Sequence, residues 1–412
     1  MAVIPAGYKQ TEVGVIPEDW EFVAAGEIGR FRGGNGFPLK FQGEFSGAYP
    51  FFKVSDMNNE GNETFMRTAN NYICETTRKT LGATLFSPNS IVFAKVGAAV
   101  FLERKKILAQ QSCLDNNMAA YELDDSKADY RFVHFRLLHT KFGDLVSTTA
   151  LPSLSGGALS QIRFPLPPLQ EQRAIAATLS DVDAMLAKLD QLIAKKRDLK
   201  QATMQQLLTG QTRLPGFSGA WEVKRLGDVS QLMNGFAFKS STYDEFGCYK
   251  VVTIANVQDG FMSIDVCNKV ARLPQDIQFH QRLIQGDILI SMTGNVGRVC
   301  RVCDDDCLLN QRVGKLVPNG IDDRFLFAVL RQPSFLVSMV NKAKGGAQGN
   351  LSKVDITEYE LKLPSREEQT AIATILSDMD AELAALEARR DKTRTLKQGM
   401  MQDLLTGRIR LV

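Results

Sequence analysis

The chain repeats itself, and that repeat limits its fold more than any other feature. Residues 166–214 read LPPLQEQRAIAATLSDVDAMLAKLDQLIAKKRDLKQATMQQLLTGQTRL, and residues 363–411 read LPSREEQTAIATILSDMDAELAALEARRDKTRTLKQGMMQDLLTGRIRL. They align without a gap at an offset of 197, with 28 of 49 positions identical. The stretches ahead of each copy echo one another more faintly. Trp20-Glu21 matches Trp221-Glu222, Asn35-Gly36-Phe37 with Lys40 matches Asn234-Gly235-Phe236 with Lys239, and 49–57 matches 249–257. The order is variable–shared–variable–shared, and it is circular. The first copy runs on as PGFSGAWE, while the N-terminal stretch GYKQTEVGVIPEDWE supplies what would follow the second. Halves related by a pseudo-twofold axis would bring both chain ends near the middle junction.

Each shared segment reads as one long helix. Pro165, Pro167 and Pro168 precede the first and Pro364 the second, where proline suits a helix start. Glu171 and Glu368 fall in the first turn, favourable for the helix dipole. Gly210 and Gly407 follow Leu-Leu-Thr as terminators. Apolar residues recur at alternating spacings of four and three: Ile175, Leu179, Val182, Leu186, Leu189, and in the second copy Ile372, Leu376, Met379, Leu383, Leu386. That is the seam of a coiled coil, and two such helices in one chain can pair antiparallel. Past Leu189 and Leu386 the pattern reads as a phase break, with Leu199, Met204, Leu207 and Leu396, Met401, Leu404 on a shifted stripe.

The variable regions mix short apolar runs with turn residues and read as α/β domains on mixed, twisted sheets. Strands are expected at 50–54, 90–95, 250–254 and 287–292, and helices at 130–138 and 324–340. The division is therefore 1–14 (a segment completing the circular repeat), 15–163 (first variable domain), 164–214 (central helix), 215–360 (second variable domain) and 361–412 (C-terminal helix).

Composition narrows the function. The chain's 412 residues suit two or three domains. Net charge is +3, and each variable region holds 16 basic and 16 acidic residues, so any nucleic acid must be held by local patches. No apolar run reaches the roughly 18–20 residues of a membrane span. The N-terminus lacks a basic and then apolar leader, and the seven cysteines are odd in number, so a reducing cytoplasm is expected. There is no G-x-x-x-x-G-K-[ST], no Asn/Asp-Pro-Pro-aromatic tetrad and no H-E-x-x-H, and the histidines are only His134, His139 and His280. A catalytic role for this chain is not expected. The trio Cys300, Cys303 and Cys307, with Cys248 or Cys267, has some of the character of a zinc site but lacks a second paired knuckle. No metal is expected, and the trio reads as a strand pair around an Asp304-Asp305-Asp306 turn.

This organisation resembles the specificity subunit of type I restriction–modification systems. The residues that carry the likeness are Leu166-Pro167-Pro168, Glu171-Gln172, Ile175, 179–183 and Leu207-Leu208-Thr209-Gly210, with Leu363-Pro364, Glu368-Gln369, Ile372, 376–380 and Leu404-Leu405-Thr406-Gly407 in the second copy. The second opening, Pro364-Ser365-Arg366, departs from the fuller proline run. The resemblance implies two target recognition domains, each reading half of a bipartite, asymmetric DNA site. The paired helices would set the gap and dock two modification subunits. Those subunits would carry S-adenosylmethionine and methylate adenine, and a separate restriction subunit would use ATP and Mg. No cofactor is implied on this chain. A scaffold binding two proteins rather than DNA is the alternative.

Under that resemblance the candidate DNA contacts are basic residues and the amides suited to base edges. In the first domain they are Lys40, Lys53, Lys95, Arg104, Lys105, Lys106, Asn116 and Asn117. In the second they are Lys239, Asn256, Asn295, Arg298, Asn310, Gln311, Arg312 and Gln348, with Arg301 beside them. The loops Ser155-Gly156-Gly157 and 345–349 suit either backbone approach to phosphate or a hinge.

Overall fold

The computed structural model of the chain describes residues 4–12, 14–146, 152–343 and 349–411. The two shared segments form continuous helices, Leu169–Leu208 (the central helix) and Arg366–Leu404 (the C-terminal helix). The chain divides into two compact units, residues 1–188 with 390–412 and residues 189–389. Each unit thus holds one variable domain and one half of each helix.

In the first unit a five-stranded mixed sheet runs in the order Gly29–Gly33, Met118–Leu123, Ile91–Ala94, Lys105–Leu108, Phe65–Met66. Only its last pairing is parallel. A second sheet sets Tyr49–Phe52 between Cys113–Leu114, parallel, and Tyr72–Ile73, antiparallel. The strands are rich in Ile, Val, Phe and Tyr, which suit a pleated buried surface. The helix Tyr130–Leu138 starts where Asp129 accepts hydrogen bonds from the Arg131 and Phe132 amides. Trp20, Phe93, Tyr121, Phe132 and Phe164 form one core with Ile175 and Leu179 of the central helix and Met401, Leu404 and Leu405 of the C-terminal segment.

The second unit repeats the scheme with different loops. One antiparallel sheet runs Ser230–Asn234, Val313–Pro318, Ile288–Ser291, Val299–Arg301. A mixed sheet runs Asn268–Val270, Tyr249–Val252, Cys307–Leu309, Arg282–Leu283. The expected single helix over 324–340 is two, Asp323–Leu330 and Pro333–Ala343. Pro333 cannot donate an amide hydrogen within a helix and breaks it there. Cys300 and Cys307 lie on strands of different sheets, so the expected strand pair around the aspartate turn does not form. Among the described residues, no group of three or more His, Cys, Asp or Glu side chains is placed to hold a metal.

The helix pairing is antiparallel in both units. Lys397 meets Asp183 at 2.5 Å in the first. Lys196 meets Glu382 at 2.7 Å in the second, where Lys200 pairs with Asp380 and Arg197 with Glu387. Ile175, Leu179, Leu189, Ile372, Leu376 and Leu383 are buried, and Val182, Leu186, Met379 and Leu386 are half-buried. Of the expected shifted stripe, Leu207, Met401 and Leu404 are buried and Met204 is half-buried, but Leu199 and Leu396 are 52% and 60% exposed. The four–three spacing continues through Lys200 and Lys397, whose side chains are 9% and 16% exposed. Their aliphatic stems fill the seam while their ammonium groups reach a carboxylate on the other helix.

Candidate nucleic-acid interface

Two equivalent clamps close the ends of the helix pairing. In the first unit Glu171, 2% exposed in its side chain, accepts from Trp20 Nε1 at 3.0 Å and from Arg410 Nε and Nη2 at 2.7 and 2.8 Å. In the second, Glu368 accepts from Trp221 Nε1 at 3.2 Å and from Arg213 Nε and Nη2 at 2.6 and 2.7 Å. The carboxylates raise the pKa of both guanidiniums, and Arg410 holds Asp19 below the ordinary carboxylate range. Gln172 and Gln369 bind Pro167 and Pro364 carbonyls and meet the amides of Asp129 and Asp322. The Glu-Gln pair in each helix opening therefore anchors the variable-domain helix, and the Arg that follows Leu-Leu-Thr-Gly locks one helix end to the other helix's start. Gly407 and Gly210 end the helices at φ of 74° and 71°, and a Cβ on Gly407 would lie 2.4 Å from Pro17. The Tyr8 hydroxyl donates to the Gly407 carbonyl at 3.2 Å, so the N-terminal stretch sits where sequence continuity would have put it.

The candidate DNA residues sort by burial. Lys105 and Lys106, expected to contact DNA, are buried at 3% and 8% exposure. Lys105 Nζ donates to Glu103 Oε2 at 2.5 Å and the Thr140 carbonyl at 2.9 Å, and Lys106 Nζ to the Asn62 carbonyl. Burial lowers both lysine pKa values, opposed at Lys105 by Glu103. They are structural, because their run forms a central strand. Asn256 is likewise buried; its amide accepts from Thr253 and donates to the Ser263 and Val266 carbonyls, closing a turn. Asp56 plays that part in the first unit, accepting from the Lys53 and Asn70 amides, with burial raising its pKa. Asn310 is buried with its side chain on the Arg312 amide.

Other candidates are half-buried and already engaged. Lys53 holds Gln42, Arg104 holds Asn58, Arg298 holds Gln258 at 2.8 Å and Arg301 holds Asp323 at 3.0 Å. Lys95 is half-buried with its ammonium beside Gly33. Gln348 lies outside the described residues, as do 345–347 of the second glycine loop. The first glycine loop opens the short helix Gly156–Ser160, capped by Ser155.

Lys40, Asn116, Asn117, Lys239, Asn295, Gln311 and Arg312 are exposed. Backbone pairing brings most of them to one loop cluster in each unit. In the first, the Asn35 amide bonds the Leu114 carbonyl at 2.9 Å and the Lys95 amide bonds Asn117 at 2.8 Å, so the Lys40 loop, Lys95 and Asn116-Asn117 adjoin. In the second, the Phe236 amide bonds Leu309 at 2.8 Å, Gln311 bonds Phe236 at 2.9 Å and Met292 bonds Arg312 at 3.0 Å. This joins the Lys239 loop, the 292–298 turn and Gln311-Arg312. Lys239 and Arg272 also line a groove of about 670 Å³ floored by Phe236 and Phe238. Arg272 and the clamp arginines were missed in the sequence. The identical spacing of Arg213 and Arg410 after Leu-Leu-Thr-Gly was the available signal for the latter.

Comparison with known proteins accords with this arrangement. The family model for the type I restriction modification DNA specificity domain matches residues 17–196 and 219–393. The MjaVIII type I restriction enzyme specificity subunit of Methanocaldococcus jannaschii is 26% identical, over 96% of this chain and 94% of its own length. The EcoBI specificity subunit of Escherichia coli is 22% identical over 73% of this chain and 69% of its own. The crystal structure of the type I restriction–modification S subunit from M. genitalium shares the fold, with a TM-score of 0.60 at 16% identity, covering 94% of this chain and 96% of that one. The chain belongs to the type I restriction–modification DNA specificity family and is a specificity subunit.

Proposed function

We propose that this subunit reads a bipartite, asymmetric DNA sequence, one half-site per recognition domain, and docks two adenine-methylating modification subunits. The observation that carries the reading is a contrast. The helices and their clamps are nearly the same in both halves, whereas the equivalent loop clusters present Asn116-Asn117 in one and Gln311-Arg312 in the other. Two readers built on one frame with different base-facing side chains suit two different half-sites. S-adenosylmethionine belongs to the modification subunits in this reading, and ATP and Mg to a restriction subunit. Among the described residues no helix is long and apolar enough to cross a membrane. The test is to map adenine methylation in the host genome by long-read sequencing with and without this gene. Loss of one two-part motif on deletion is expected; methylation unchanged in a strain expressing the modification subunits would contradict the reading.

A further inference from the structure

In each recognition domain the loop ahead of the strand at Tyr49 or Tyr249 exposes a phenylalanine that the fold does not use, among other exposed rings such as Phe101 and Phe279. Phe45 is 81% exposed and Phe246 89%. Both follow a glutamate, Glu44 and Glu245, and both precede the strand that begins at Tyr49 or Tyr249. The loops are pinned in place. The Tyr72 amide bonds the Glu44 carbonyl at 2.7 Å, and the Asp244 amide bonds the Lys269 carbonyl at 2.9 Å. A Cβ on Gly47 would lie 3.0 Å from the Ile73 backbone, and one on Gly247 would lie 2.5 Å from Val270, so each glycine seats its loop against the next strand. Each loop also carries an exposed lysine, Lys40 or Lys239.

Base-reading residues differ between the halves, so a feature that persists in both serves something common to both half-sites. A bare aromatic ring on a held loop, with a lysine on the same loop, has the form of the apolar wedges that enter a base stack. Lys40 and Lys239 are the cations these loops offer to phosphate, while Glu44 and Glu245 flank the rings.

We infer that Phe45 and Phe246 are DNA-wedging residues, each unstacking the duplex at its own half-site. This rests on the DNA-reading function proposed above. The test uses the full chain with its modification subunits and duplexes carrying the methylation-mapped motif, with 2-aminopurine replacing the target adenine of one half-site or the other. Phe45→Ala is expected to abolish most of the fluorescence rise at one half-site only and to slow methylation there by about fivefold or more. Phe246→Ala should do the same at the other half-site, and Phe→Leu should retain most of both signals. Unchanged fluorescence at both half-sites in both alanine variants would overturn the inference. So would loss of modification-subunit binding in place of the fluorescence change, because the rings would then be protein anchors. Wild-type complex that unstacks neither half-site also overturns it. Wild-type methylation of the mapped motif separates failure of the wedge from failure of the DNA-reading function.

Discussion

At the residue scale, the same cationic side chain serves opposite ends according to its strand. Lys105 and Lys106 stand in a basic run that suggested a phosphate contact, yet they sit mid-sheet and spend their charge on Glu103 and backbone carbonyls. A sequence run of charges does not disclose sheet order, so this was not legible. Glu171 was legible as a helix-start acid, but its role as the shared acceptor for Trp20 and Arg410 depends on a residue 239 positions away. Glu171→Ala leaves the Trp20 indole N–H without its acceptor and Arg410 with Asp19 alone, and is expected to cost about 1–3 kcal/mol, by chemical denaturation of the intact chain. His134, buried with Nε2 donating to the Lys105 carbonyl at 2.8 Å, has its pKa held below the usual 6.5, chiefly by burial and further by the Lys397 and Lys105 charges, against that carbonyl hydrogen bond and Asp183. His139 is lowered too, by burial and by Arg136. The folded state then binds fewer protons than the unfolded one. Its contribution is intact above pH about 6.5 and is lost as pH falls below that value. Denaturation midpoints should drop between pH 7 and 5.5, and His134→Gln should flatten the slope.

At the element scale, helix length, start and stop were legible because proline, acidic first turns and glycine terminators act locally. The 130–138 helix was also read at its observed ends from its apolar run, and the structure adds Asp129 as its cap. The seam was misread at Leu199 and Leu396 because hydrophobicity alone was followed, and a lysine can occupy a seam position when a carboxylate lies opposite. Lys200 has its pKa lowered by burial, with Asp380 opposing. Asp380→Ala should leave Lys200 without that acceptor and destabilise the second unit by about 1.5–3 kcal/mol. Lys200→Leu combined with Asp380→Leu should be neutral or stabilising. Thermal melts of both variants decide between a lysine that stabilises the seam and one that is merely tolerated. Pro333 shows the same lesson in reverse, since one residue split a helix that apolar content favoured as continuous.

At the scale of the whole molecule, the internal repeat gave the architecture away: two similar units, each with a recognition domain, half of each helix and one clamp. The loop clusters could be located but not ranked, because exposure depends on how strands order and sequence does not reveal it. The proposed function makes the helix pair a ruler. Inserting four residues after Lys188 and four after Arg389 lengthens both helices by about 6 Å, at about 1.5 Å per residue, while leaving both clamps and both loop clusters intact. The most direct measurement maps genomic adenine methylation made by the wild-type chain and by this double-insertion variant, each with the same modification subunits. The account predicts the same two half-sites with a gap wider by about one to two base pairs, at about 3.4 Å per step. Methylation at the original spacing would contradict it.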